Sequence, residues 1–155
     1  MRKVSEQVLQ VLAGKTLATA ESLTGGAIGS ELTSVPGASS VFKGGIISYC
    51  NEIKHGLLGV PMQMLDTLGP VSGPVAQAMA EGARKVLKSD VAVSVTGLAG
   101  PSGDEFGNPV GTVFIGYADD THSLSCRYLF SGDRDAVRRQ TVDAALELIL
   151  EEFHG

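Results

Sequence analysis

The chain has no tryptophan, only two cysteines and three histidines, and aromatic residues make up 5% of its 155 positions. Cys50 and Cys126 stand far apart, in neither a CxxC nor a CxxH arrangement. That excludes a structural zinc finger and reads as reduced thiols of an intracellular protein. His55, His122 and His154 form no H-x-x-x-H pattern and read as surface residues. The acidic pairs Asp119-Asp120 and Glu151-Glu152 read as a turn and a solvated helix end. No metal site and no cofactor are expected. Basic residues are scarce as well, 12 Lys+Arg against 17 Asp+Glu for a net charge of −5. No basic run is longer than Arg138-Arg139, so a nucleic-acid partner is not expected. No apolar run approaches the length of a membrane span. Met1-Arg2-Lys3 leads into polar Ser5-Glu6-Gln7, where a signal peptide would be apolar. A cytoplasmic location without membrane contact is expected.

What is present is a globular balance, 43% hydrophobic and 19% charged residues, with 20 glycines. The length fits one domain. Val4, Val8, Val11 and Leu12 predict a first helix, stopped by Gly14. Thr16–Ala20 predicts a strand, Glu21–Gly26 a turn, and Gly26–Thr33 a second helix. Gly45–Cys50 predicts a strand, and Asn51 can cap a short helix carrying Lys54, Leu57 and Leu58. Met62–Leu68 predicts a helical turn or two. Ser72 and Pro74 open a helix to about Leu87, with Val75, Met79, Ala83 and Val86 as its apolar stripe. Val91–Thr96 reads as a strand covered on both faces. A Gly-rich loop, Gly97–Gly107, precedes strands at Val110–Tyr117 and Ser123–Phe130, joined by a turn at Asp119-Asp120. Asp133 opens a last helix whose core face is Val137, Val142, Ala145, Leu146, Ile149 and Leu150. This order predicts a three-layer α/β/α sandwich around a mixed sheet, in a single domain spanning residues 1–155.

Four segments can carry chemistry. In Ala20-Glu21-Ser22-Leu23-Thr24-Gly25-Gly26 a strand ends, a hydroxyl follows and a helix begins. Unpaired N–H groups there can hold an oxyanion, with Ser22 as nucleophile beside Thr24, Gly25 and Gly26. The bland alternative is Ser22 or Thr24 as a helix cap. In Ser48-Tyr49-Cys50-Asn51-Glu52-Ile53-Lys54, Tyr49 and Lys54 can reach one sheet edge. A desolvated lysine can serve as base, whereas a solvated Lys and an ordinary Tyr is the alternative. Thr96-Gly97-Leu98-Ala99-Gly100-Pro101-Ser102-Gly103 can present backbone N–H groups to phosphate, or be a flexible turn. Arg134 and Arg138, four apart early in the last helix, suit an anion or a partner carboxylate, or a surface salt-bridge face. The base reading of Lys54 requires that Glu21 and Glu52 point elsewhere.

In this order and at these separations the segments resemble the CinA C-terminal domain family, from about Leu17 to Phe153. Further matching stretches are Pro36-Gly37-Ala38-Ser39, Gly44-Gly45, Leu58-Gly59-Val60, Gly69-Pro70-Val71-Ser72, Pro109-Val110-Gly111-Thr112-Val113 and Gly132-Asp133-Arg134. Cys50 departs from the serine expected after the tyrosine, and Val71-Ser72 from the commoner Ala-Val-Ser. The resemblance implies hydrolysis of nicotinamide mononucleotide to nicotinic acid mononucleotide and ammonia. It implies Ser22, Lys54 and Tyr49 as catalytic residues, with Gly45 among the substrate-binding positions. The 5′-phosphate would fall to Thr96, Gly97 and Gly100. It also implies that the larger N-terminal domain of longer members, and its separate activity, is absent. A small-molecule nucleotide and further copies of the chain, as a dimer or larger homo-oligomer, are the expected partners. The rivals are a non-catalytic nucleotide-binding or competence- and damage-linked accessory module, which needs no Ser/Lys pair, and an amidase for another small amide.

Overall fold

A computed structural model describes residues 2–155. Five strands form one mixed sheet: β1 (Leu17–Glu21), β2 (Phe42–Ile47), β3 (Val91–Gly97), β4 (Thr112–Ala118) and β5 (Ser123–Leu129). Their spatial order is β2-β1-β3-β4-β5. β1 pairs in parallel with β2 and β3, whereas β3–β4 and β4–β5 are antiparallel. The helices are α1 (Val4–Val11), α2 (Ala27–Thr33), α3 (Asn51–Gly56), α4 (Met62–Leu68), α5 (Gly73–Leu87) and α6 (Arg134–Glu152), with a 3-10 turn at Ala38–Ser40. None of the described helices is long and apolar enough to cross a membrane.

Strand side chains alternate between faces, and that period of two divides the core. Leu17, Val91, Val93 and Val95 turn to one face and meet Val8 of α1 and Leu12 just after it, Ile28 and Leu32 of α2, and Val137, Leu146 and Ile149 of α6. Ala18, Ala20 and Ala92 turn to the other, under Val75, Met79 and Ala83 of α5. Small residues there let α5 lie close: a Cβ on Gly116 would overlap the Ala76 carbonyl, and one on Gly82 the Leu58 carbonyl. The layers are therefore helix, sheet, helix, as the alternation of elements predicts.

Several boundaries differ from expectation, and those of β2 and β4 have a local cause. β2 begins at Phe42 and stops at Ile47, because Ile47 faces Glu21, the last residue of β1. Ser48 to Cys50 have no strand to pair with and leave the sheet. β4 begins at Thr112, since Val110 and Gly111 belong to the turn in which Gly111 N–H donates to Leu98 O at 2.8 Å. Cys50, not Asn51, holds the cap position of α3, and no side chain caps it. Val86 is 49% exposed on α5. Leu150 is half-buried, and the adjacent Leu148 joins the core. By contrast Ser72 caps α5 through Val75 N–H, and Asp133 caps α6 through Ala136 N–H at 2.9 Å.

Because β1, β2 and β3 run in parallel, their carboxyl ends share one edge. From β1 the chain turns to the face of α1, α2 and α6. From β2 it turns to the face of α5. The divergence leaves a crevice at that edge, where open α/β sheets gather ligands.

Candidate active site

Ser22 follows the last residue of β1 and is 7% exposed. Lys54, at the middle of short α3, is 1% exposed. Its Nζ lies 3.1 Å from Ser22 Oγ and donates to Ser48 O at 2.8 Å. Ser48 is tied back to β1 through its N–H on Glu21 O at 2.7 Å, so both partners of Lys54 hang on the same strand end. Burial lowers the Lys54 pKa from 10.5 to about 8, with neighbouring Cys50 acting in the opposite direction. A neutral amine can keep one N–H on Ser48 O and direct its lone pair at the Ser22 hydroxyl.

Neither nearby acid touches this lysine. Glu52 is exposed on α3 and makes no ion pair with it. Glu21 is 2% exposed and points to the start of α2. Its Oε1 accepts from Thr24 Oγ1 at 2.6 Å and Ile28 N–H at 2.9 Å, and its Oε2 accepts from Gly29 N–H at 3.0 Å. The carboxylate thus fills the positive end of α2 with the chain's own charge. Ser22 and Thr24 do not cap that helix: Gly26, at φ 104°, holds the cap position. The signal for this was an acid at a strand end seven and eight residues before the amides it meets.

The turn after Ser22 closes with Gly25 N–H on Ser22 O at 3.1 Å, so the Gly25 amide is already engaged. The amides of Thr24 and Gly26 have no protein acceptor among the described residues. Arg138 donates from Nε to Leu23 O at 3.0 Å and from Nη2 to Thr24 O at 3.1 Å. It binds carbonyls, not a carboxylate.

A cleft of about 280 Å³ opens beside Ser22, just below the common range for ligand clefts of about 300–1,000 Å³. Ser22, Tyr49, Lys54, Thr96, Gly97, Gly100 and Arg134 line it, seven of the expected residues from four separate segments. Tyr49 is 65% exposed and its hydroxyl bonds neither Ser22 nor Lys54; it accepts from Arg134 Nη2 at 3.4 Å. Arg134 also donates to Gly100 O at 2.7 Å, bridging α6 to the Gly-rich loop. The Thr96 hydroxyl donates to Pro70 O at 2.7 Å. Thr24, Gly25, Gly26, Gly45 and Arg138 are not among the cleft's lining residues. Gly45 sits inside β2, where a Cβ would overlap Thr19 Oγ1, so its smallness serves strand packing. The lining also includes Ser102, from the Gly-rich loop, and Asn51, Pro70 and Val71, which the sequence alone does not mark as ligand-binding. Pro70-Val71 and Ser102 lay in the motifs singled out, and Asn51 was read as a cap.

The matching family model is that of the CinA C-terminal domain, over residues 1–153. A CinA-like protein of Thermotoga neapolitana is 46% identical over 94% of this chain but only 36% of its own length. The chain spans roughly a third of such relatives. The nicotinamide-nucleotide amidohydrolase PncC of Shigella flexneri is 43% identical over 99% of this chain and 94% of its own. Among solved structures, the competence damage-inducible protein A of Klebsiella pneumoniae superposes with a TM-score of 0.93 at 30% identity, covering 96% of this chain and 94% of that one. A competence/damage inducible protein from Agrobacterium tumefaciens gives 0.92 at 34% identity, covering 96% and 92%. By the extent of the family match and by these near full-length relatives, the chain belongs to the CinA C-terminal domain family.

Proposed function

We propose that this chain, acting as one domain, hydrolyses the carboxamide of nicotinamide mononucleotide, with Ser22 as nucleophile and Lys54 as its base. The observation that carries the reading is the buried Lys54 Nζ, 3.1 Å from Ser22 Oγ, with a pKa lowered to about 8 and no carboxylate in contact. The substrate is taken from the Shigella relative, whose name is that of a nicotinamide-nucleotide amidohydrolase.

Lys54 accepts the Ser22 proton as Oγ attacks the carboxamide carbon. The tetrahedral oxyanion takes hydrogen bonds from the unpartnered amides of the turn that follows Ser22. Lys54 returns the proton to the leaving nitrogen, and ammonia departs from an acyl-Ser22 ester. Water, deprotonated by Lys54, then hydrolyses the ester to nicotinic acid mononucleotide. Tyr49 and Arg134, at the cleft mouth, hold the nucleotide, while the loop from Thr96 to Gly100 and Ser102 receives its 5′-phosphate. Remote phosphate binding fixes the amide against Ser22. The reaction recycles pyridine nucleotide in the cytoplasm, and the active form is a homo-oligomer.

Ammonia release from nicotinamide mononucleotide by the purified chain tests the reading. Ser22→Ala should abolish release while leaving the circular dichroism spectrum unchanged; near-normal kcat in that variant would refute the covalent route. The accessory-module alternative predicts nucleotide binding with no ammonia from either protein.

A further inference from the structure

Arg138 lies outside the cleft and takes no part in the steps above, but it holds the backbone beside Ser22. It stands in the second turn of α6, yet its guanidinium reaches the two residues immediately after Ser22. A trans peptide unit is planar, with its C=O and N–H pointing in opposite directions. Holding Leu23 O therefore turns the Thr24 N–H away from α6. Holding Thr24 O turns the Gly25 N–H the same way, and that N–H is bonded to Ser22 O. Both peptide planes of the turn are thus pinned, the second from each side.

The turn needs an outside hold. Gly25 and Gly26 both have positive φ, 60° and 104°, and contribute no side chains that could lock it. On the opposite flank, the Glu21 carboxylate fixes the Thr24 hydroxyl and the first amides of α2. A guanidinium on a carbonyl also draws electron density through the peptide and makes the N–H at its other end a better donor.

We propose that Arg138 is a positioning residue for catalysis: its fork on Leu23 O and Thr24 O fixes the peptide planes of the turn that follows Ser22, and with them the amides that meet the oxyanion forming there. The assignment rests on the Ser22 mechanism above. It replaces the expectation that Arg138 binds substrate or a partner carboxylate.

Arg138→Ala and Arg138→Lys, in the full chain with nicotinamide mononucleotide as substrate, test it. In Arg138→Ala kcat should fall at least about tenfold, less than the roughly 10²–10³ lost with an oxyanion donor itself. KM should stay within about twofold, and the pH midpoint of kcat/KM should not move, because Arg138 touches neither Lys54 nor Ser48. The side chain also lines an open groove between α2 and α6, about 650 Å³ in volume. Guanidinium chloride at millimolar concentration, far below denaturing levels, should therefore reach the vacated position and restore several-fold activity to Arg138→Ala alone. Should Arg138→Ala not fold, Arg138→Lys carries the test: one ammonium cannot hold both carbonyls, so kcat falls with KM unchanged. Unchanged kcat in a folded variant, with Ser22→Ala inactive, would overturn the role of Arg138 and leave Ser22 standing. A loss confined to KM would place Arg138 on the substrate instead. Turnover by Ser22→Ala would overturn both.

Discussion

At the residue scale the chemistry depends on an amine removed from water. Lys54 titrates at about 8 in the folded chain against 10.5 when free, so near neutral pH its folded form carries an ill-solvated charge. Between those values the unfolded chain binds a proton that the folded chain does not, so stability rises with pH across that window. The shift corresponds to about 3 kcal/mol of cost below pH 8. Lys54→Met should therefore gain stability relative to the parent at pH 7, and the gap should narrow toward pH 10, as urea unfolding at both values would measure. The same titration sets activity: kcat/KM should rise through an apparent pKa of about 8. Lys54→Arg, which keeps the charge but cannot act as a base, should lose at least about a hundredfold. Substantial kcat in that variant would make the residue an electrostatic anchor. The sequence shows a lysine one turn into a helix and nothing of its burial. That depends on Ser48 O and Ser22 Oγ, both fixed by where β1 and β2 stop pairing.

At the scale of elements, periodicity, caps and Gly/Pro punctuation together predicted the helices and strands, and errors gathered where pairing rather than composition decides an end. The sequence places the start of β2 at Gly45, ahead of the β-branched Ile46 and Ile47. In the fold Gly45 lies mid-strand, because β1 needs the space: the Thr19 side chain stands where a Gly45 side chain would be. Gly45→Ala should consequently destabilise the protein by about 1–3 kcal/mol through overpacking, with KM little changed in the molecules that remain folded. Wild-type unfolding with a raised KM would instead return Gly45 to the substrate site. Arg134 and Arg138 were legible as oddly placed cations at a helix start. Their partners were not, because backbone carbonyls have no signature in sequence.

Across the whole molecule, the site joins segments that are distant in the chain but end on one sheet edge. Strand order is not readable from the residues themselves; the family resemblance joins the four signals into one site, and the position of β1 between β2 and β3 is the physical reason that residues from all four line one cleft. No three His, Cys, Asp or Glu side chains among the described residues form a group fit to hold a metal. Ammonia release should accordingly survive exhaustive chelation; loss restored by one metal would contradict the mechanism. At the far end of the sheet, His122 reads from the sequence as a surface residue and is partly exposed, but it is not isolated. Its Nε2 meets Glu152 at 3.0 Å, closing α6 onto the β4–β5 turn beside Asp119 and the Tyr117 hydroxyl. The Glu152 hydrogen bond raises the His122 pKa, reinforced by Asp119. This stabilisation is complete below the free-histidine value and fades as pH climbs through the raised one. His122→Gln should lower Tm more at pH 5.5 than at pH 8.5.

Tyr49 has an optical consequence. With no tryptophan and three tyrosines, emission from this chain is tyrosine emission alone. The Tyr117 hydroxyl is bound to the Asp119 carboxylate, an arrangement that quenches the phenol, and Tyr128 is stacked on Phe130. Tyr49 is the exposed ring, and it stands at the mouth of the cleft. A pyridinium ring entering past it is an electron acceptor and should dim that light. Ser22→Ala protein mixed with nicotinamide mononucleotide would then report binding by its own fluorescence, with no label attached, and Tyr49→Phe would remove the signal.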